Sequence, residues 1–228
     1  MQSENKLLIP LAVIIAGALI GGAIYFNGRT SPTTSHTNTD APEIDIKPIS
    51  SGDYVLGNPN AKISFITFSD VDCPFCHTFD VTMRKIMDIY GKNGEVAWAY
   101  RHFPIDQLHP NARVKAESAE CVGSLAGNET FWNYMEILFT RSDETINDLG
   151  DIAESIGVDK KAFEKCVADK TFSKKVEDQI VEAAKAGARG TPYTIIITQE
   201  GTLIPLNGAL PYPQVEETVK TLLLGSAE

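Results

Sequence analysis

Cys73-Pro74-Phe75-Cys76, preceded by Ile63-Ser64-Phe65-Ile66-Thr67-Phe68, is the stretch that decides the fold. The upstream run is bulky, β-branched and aromatic, and reads as a strand. After Cys76, Phe79, Met83, Ile86, Met87 and Tyr90 recur at spacings of three and four, the stripe of an amphipathic helix. Cys73 therefore falls where a strand turns into a helix. Free backbone N–H groups and the positive end of the helix dipole stabilise a thiolate there. Because the thiolate is the nucleophile of disulfide exchange, this context reads the two cysteines as a redox pair.

The same letters, extended to His77, spell C-x-x-C-H, the attachment pattern of a c-type haem with His77 as axial ligand. The leading strand and the βαβ-like pattern around it argue against haem. Met83, Met87 and Met135, the candidates for a second axial ligand, are better explained as apolar helix faces.

Working outward, Leu7 to Phe26 is uncharged and long enough to cross a hydrocarbon core as a helix. An uncleaved anchor (7–26) behind a short cytoplasmic tail (1–6) is expected rather than a signal peptide, whose apolar core is typically shorter. Residues 27–51 are rich in Ser, Thr, Asn, Pro and Asp and read as a flexible linker. The globular part is expected over 52–228. The net charge is −10; Lys6 and Arg29 against Glu4 give +1 through residue 29, leaving −11 for the rest. That acidity argues against nucleic acid and against a polybasic lipid contact.

Four cysteines in a chain carried past a membrane invite pairing. Beyond the C-x-x-C, Cys121 and Cys166 lie in helical patterns with no zinc-ligand spacing beside them. A structural disulfide between them is the preferred reading, with two free buried thiols as the alternative. No metal and no organic cofactor is expected.

The domain reads as strand, helix, strand (Val96–Tyr100), a helical block of about residues 110–187 broken at Gly123, Gly127, Gly150 and Gly157, then a hairpin and a closing helix from Pro213 to Leu224. Phe131, Trp132, Met135, Leu138 and Phe139 form one apolar face of the block, and Ala162, Phe163 and Val167 another. The expected class is α/β, with one small mixed sheet and a helical insertion.

Several separated motifs now carry a resemblance: Gly57-Asn58-Pro59-Asn60-Ala61, Phe68-Ser69-Asp70 before the C-x-x-C, Tyr100-Arg101-His102-Phe103-Pro104, His109-Pro110 with Ala112, and Gly190-Thr191-Pro192. From about Gly52 onward the chain resembles the DsbA-like branch of the thioredoxin superfamily. The resemblance implies a thioredoxin fold with an inserted helical domain, and a cis proline at Pro192 that sets Thr191 and Pro192 beside Cys73. Cys73 is the expected nucleophile and Cys76 the resolving thiol. Pro74 suits the first helical turn, and His77 reads as an accessory polar group. His102 and His109 read as structural, and Asn128-Glu129-Thr130 as a chance glycosylation pattern.

Two positions depart from that pattern. Many relatives carry a buried Glu where this chain has Thr67, so proton transfer from Cys76 is expected to use water, Asp70 or Asp72. The strongly oxidising members have His inside the C-x-x-C, where this chain has Phe75. A less depressed Cys73 pKa and a milder oxidant are therefore expected.

The expected activity is that of a membrane-anchored extracytoplasmic oxidoreductase donating the Cys73–Cys76 disulfide to reduced client proteins. The resemblance implies re-oxidation by a membrane quinone-linked thiol oxidase. The alternative is an isomerase or reductase of the same fold, working in the opposite direction.

Overall fold

The computed structural model describes residues 44–141 and 145–225. The expected tail, membrane anchor and tether up to residue 43 lie outside the described residues. Among the described residues no helix is long and apolar enough to cross a membrane.

Five strands form one mixed sheet in the order β1-β3-β2-β4-β5. The two central strands, β2 (Ile63–Ser69) and β3 (Val96–His102), run parallel in register, Ser69 opposite His102. Both are buried almost throughout, as parallel strands covered on both faces must be. β4 (Tyr193–Thr198) pairs antiparallel with β2, and β5 (Leu203–Asn207) antiparallel with β4. Pro205 is accommodated because β5 is an edge. The other edge, β1 (Tyr54–Gly57), was not foreseen from the sequence. Four residues are too few to show a period. β1 also leans on a side chain, since the Asn128 amide accepts from Val55 N (2.7 Å) and donates to Val55 O (2.9 Å). Asn128, in the pattern read as chance, thus acts as a backbone mimic for the edge strand.

Alternation along β2 divides the core. Ile63 and Phe65 face one side with Trp98, Phe79, Met83, Phe131, Val215 and Val219, while Ile66 and Phe68 face the other with Ala99, Ala183, Tyr193 and Ile195. The first side carries α1 (Pro74–Ile86), α2 (Ala112–Thr140) and the closing helix α6 (Tyr212–Gly225). Trp132 of α2 packs on Trp98 with ring centroids 4.7 Å apart. Burying each such side chain contributes roughly 1.5–3 kcal/mol. The insertion is completed by α3 (Leu149–Ser155), α4 (Lys160–Ala168) and α5 (Ser173–Lys185). A disulfide joins Cys121 of α2 to Cys166 of α4.

Three expectations need correction. Gly123 and Gly150 lie inside α2 and α3 and break nothing. At Gly123 a Cβ would stand 2.2 Å from the Tyr54 ring, so close helix–strand packing demands the glycine. Gly127, with φ +88°, is a kink, and Gly157, also at +88°, follows α3. The regular helical stripe after Cys76 also ends early: Met87–Gly91 forms a π-helical turn. Finally, residues 44–51, read as the end of a flexible linker, pack on the domain. Ile44, Ile46 and Ile49 rest against the second core, and the buried Arg101 guanidinium donates to the carbonyls of Lys47 (2.9 Å) and Pro48 (3.2 Å). Arg101 also pairs with Asp53, just beyond that segment, and with Glu182 of α5.

Candidate active site

Cys73 caps the N-terminus of α1 with extended backbone, and Pro74 occupies the first helical turn, where its missing N–H costs nothing. The N–H groups of Cys76 and His77 both point to the Cys73 carbonyl (2.9 and 3.2 Å). The two thiols are free; Cys73 is 6 % exposed and Cys76 only 1 %. Phe75 stands out beside them at 68 % exposure.

The pairing of β2 with β4, Phe68 opposite Tyr193, brings the start of β4 to the C-x-x-C. The Thr191–Pro192 bond is cis. In its thiol form Cys73 faces the Thr191 carbonyl, with sulfur and oxygen 3.6 Å apart. The Thr191 hydroxyl is buried, has no hydrogen-bond partner among the described residues, and lowers the Cys73 thiol toward its thiolate form.

The two thiols titrate in opposite directions. A hydrogen bond from the Cys76 thiol does most to bring Cys73 down to about 5; burial opposes it, and the Thr191 hydroxyl and the N–H groups of Cys76 and Phe75 assist. Burial, reinforced by the same Cys73 bond, pushes Cys76 far up. That value lies mid-way in the range of roughly 3.5–7.5 for activated thiols, above its low end. Neutral donors achieve it without a cation at position 75.

The carboxylates expected to receive the Cys76 proton are engaged elsewhere. Asp70, fully buried, accepts from Ile105 N (2.7 Å), from His109 Nδ1 (2.8 Å) and from Asp72 N (2.9 Å). Asp72 pairs with Lys115 at 2.6 Å. What Asp70 offers Cys76 is its backbone N–H, 3.5 Å from the sulfur. The Thr67 hydroxyl accepts from the Trp98 indole (3.0 Å) and bonds Thr194 (3.0 Å), leaving no proton acceptor at that position. His77 turns back along α1, its Nε2 2.7 Å from the Val71 carbonyl and its ring edge-on to Phe139. His109 secures the loop before α2 through Asp70, and His102 is a buried neutral group on β3.

The structure therefore brings together Cys73, Cys76, Pro74, Phe75, Thr191 and Pro192, with Asp70 and His77 bracing the surrounding loops. Sequence reading assigned no role to Ser69 and Tyr100, both of which are buried on the two central strands. Both lie inside motifs that carry the resemblance, but no chemistry was attached to them there. An arrangement of one stabilised thiolate and one buried thiol can attack a disulfide, form a mixed disulfide and resolve it.

Fold and paired thiols together define a DsbA-like thioredoxin-fold thiol–disulfide oxidoreductase. A thioredoxin family model matches residues 50–219, and the chain belongs to that family. Among solved structures, oxidised BdbD from Bacillus subtilis superposes with a TM-score of 0.67 at 24 % identity, covering 79 % of this chain and 97 % of that one. Alpha-DsbA1 from Wolbachia pipientis also gives 0.67, at 23 % identity, over 76 % of this chain and 92 % of that one. The curated disulfide bond formation protein D of Bacillus subtilis is 27 % identical over 188 residues, which are 78 % of this chain and 81 % of that protein. Na(+)/H(+) antiporter NhaA 3 of Salinispora tropica is 28 % identical over 141 residues. The match takes in 61 % of this chain but only 21 % of that antiporter's length.

Proposed function

We propose that this protein is an extracytoplasmic, membrane-tethered disulfide donor that passes the Cys73–Cys76 disulfide to reduced client proteins as they fold. The observation that carries this reading is the pair of free thiols at the start of α1, with Cys73 3.6 Å from the carbonyl oxygen of Thr191 before the cis Pro192. A Cys73 thiolate stable at neutral pH favours the reduced form of the pair, and a stable reduced form makes the disulfide a good oxidant. A client thiolate attacks Cys73, the Cys73–Cys76 bond breaks, and a second client thiolate then displaces Cys73. Catalytic roles fall to Cys73 and Cys76, with Thr191 and Pro192 lining the approach to Cys73. The uncharged segment 7–26 supports a single-pass anchor, and the resemblance to DsbA-like proteins supports recharging by a quinone-linked membrane oxidase.

Refolding of a reduced, disulfide-containing client by the oxidised full-length chain tests the reading. Wild type should restore client activity, whereas Cys73→Ser and Cys76→Ser, neither of which can hold the Cys73–Cys76 disulfide, should abolish transfer. Equal refolding with wild type and Cys73→Ser would refute it.

A further inference from the structure

The exchange proposed above puts negative charge on Cys76 at one point in every turnover. When a client thiolate bonds to Cys73, the S–S electron pair leaves on Cys76; in reverse, a Cys76 thiolate attacks the mixed disulfide and the client thiolate leaves. Cys76 is 1 % exposed, so water does little to stabilise that charge. The backbone N–H of Asp70 points at the Cys76 sulfur from 3.5 Å and is placed to do so. Its worth depends on direction, because a hydrogen bond weakens steeply as the N–H turns away from its acceptor.

That N–H belongs to the Ser69–Asp70 peptide unit, where β2 ends, and the loop after β3 grips the unit with three donors. Phe103 N donates to the Ser69 carbonyl, the other end of the same unit, at 2.8 Å. Asp70 Oδ2 accepts from Ile105 N at 2.7 Å and from His109 Nδ1 at 2.8 Å. On the side of the C-x-x-C, Asp70 Oδ1 accepts from Asp72 N and the Asp70 carbonyl from Cys73 N (2.9 and 3.1 Å). The Asp70 side chain is wholly buried, so water cannot replace a lost donor. Phe103 and Ile105 give backbone N–H groups, whereas His109 alone of the three gives a side chain that the sequence had to choose. Its own backbone is fixed at both ends, with His109 N on the Ile105 carbonyl (2.9 Å) and its carbonyl accepting from Ala112 N at the start of α2 (3.1 Å).

We propose that His109 is a positioning residue for the resolving thiol: its bond to Asp70 holds the Ser69–Asp70 peptide unit so that the Asp70 N–H meets the charge on Cys76, a role resting on the exchange reading above. His109 touches neither sulfur; it acts through Asp70, whose N–H reaches the reacting atom. The Asp70 carboxylate is a strut in this arrangement and takes no proton. Atoms balance: two client thiols become one disulfide, the Cys73–Cys76 bond becomes a Cys73 thiolate and a Cys76 thiol, and one proton leaves to solvent.

The test follows reaction of the reduced full-length chain with an aryl disulfide whose leaving thiol absorbs light. Cys73 attack releases the first aryl thiolate, and Cys76 attack on the mixed disulfide releases the second. His109→Ala should leave the first phase unchanged and slow the second about threefold to tenfold, as expected when a hydrogen bond to a charged sulfur is misdirected. His109→Asn, whose side-chain amide sets an N–H where Nδ1 stood, should restore the second phase. His109→Gln, whose N–H lies one bond further out, should not restore it, and keeps a polar side chain in case the alanine variant fails to fold. The Asp70 amide proton resonance should shift in the slow variants and return in His109→Asn, which a merely structural histidine would not require. A wild-type second phase in every folded variant, or equal slowing of both phases, overturns the role of His109 while leaving the exchange reading intact. A wild type that releases only one aryl thiolate overturns both.

Discussion

The carbonyl oxygen of Thr191 lies 3.6 Å from the Cys73 sulfur, although 118 residues separate them in the chain. The β2–β4 pairing creates this proximity, and it puts the Thr191 hydroxyl where it lowers the thiol pKa. Thr191→Val keeps the shape and removes that donor. The midpoint of Cys73 thiolate absorbance should rise by about one unit, the worth of a single hydrogen bond to a charged group. An unchanged midpoint would show that the hydroxyl plays no part.

The reduced and oxidised forms should respond differently to pH. The Cys73 thiol is lowered in the fold to about 5, so its contribution to stability is fully present above the ordinary thiol range near pH 8.5. That contribution is lost as pH falls through about 5. The disulfide form has no such group. Thermal denaturation should therefore show the reduced form losing stability relative to the oxidised form between about pH 8.5 and 5, and parallel curves would contradict the assignment. The potential should fall by about 30 mV per pH unit across the same window, because one proton accompanies two electrons.

A separate pH effect arises at Glu120, 1 % exposed on α2. Burial raises its carboxyl to about 7, more than Lys175, 2.6 Å away, lowers it. Asp53 adds to the rise, and His102, 3.6 Å away, stays neutral because burial and Lys175 hold it near 3. An acid raised in the fold favours the folded state while protonated, so this contribution declines as pH rises from the ordinary Glu range toward 7. In the oxidised protein, where Cys73 does not titrate, Glu120→Gln should flatten the slope between about pH 4.5 and 7. An unaltered slope would place the titration elsewhere.

The Cys121–Cys166 bridge closes a sequence separation of 45 residues. The double Ala variant should lose up to about 4 kcal/mol of stability on the chain-entropy account. Because the bridge joins two helices of the insertion, the Cys73 titration midpoint should stay near 5. A shifted midpoint would mean that the insertion helps to set the thiol chemistry.

How much of this was legible in the chain depends on the range of the forces involved. β2, α1 and β3 were visible because dense apolar residues with clear periods dictate them locally, and the C-x-x-C took its meaning from their order. The edge strand β1 was not, since its pairing rests on β3 and on Asn128, 73 residues distant from Val55. Gly123 looked like a helix breaker because the Tyr54 ring that requires it comes from another element. Asp70 and Asp72 looked like proton acceptors because their real partners, His109 and Lys115, lie some 40 residues downstream. Ser69 and Tyr100 stand inside the motifs that carry the resemblance, yet their burial on β2 and β3 shows only in the fold.

The most direct test of disulfide donation is the equilibrium potential of the Cys73–Cys76 pair in the full-length chain, titrated against glutathione. A Cys73 pKa near 5 places the pair between thioredoxin and the strongest oxidants. The expected potential lies between about −120 and −200 mV, with client oxidation proceeding from the disulfide form. A potential near about −270 mV would mark the pair as a reductant and contradict donation.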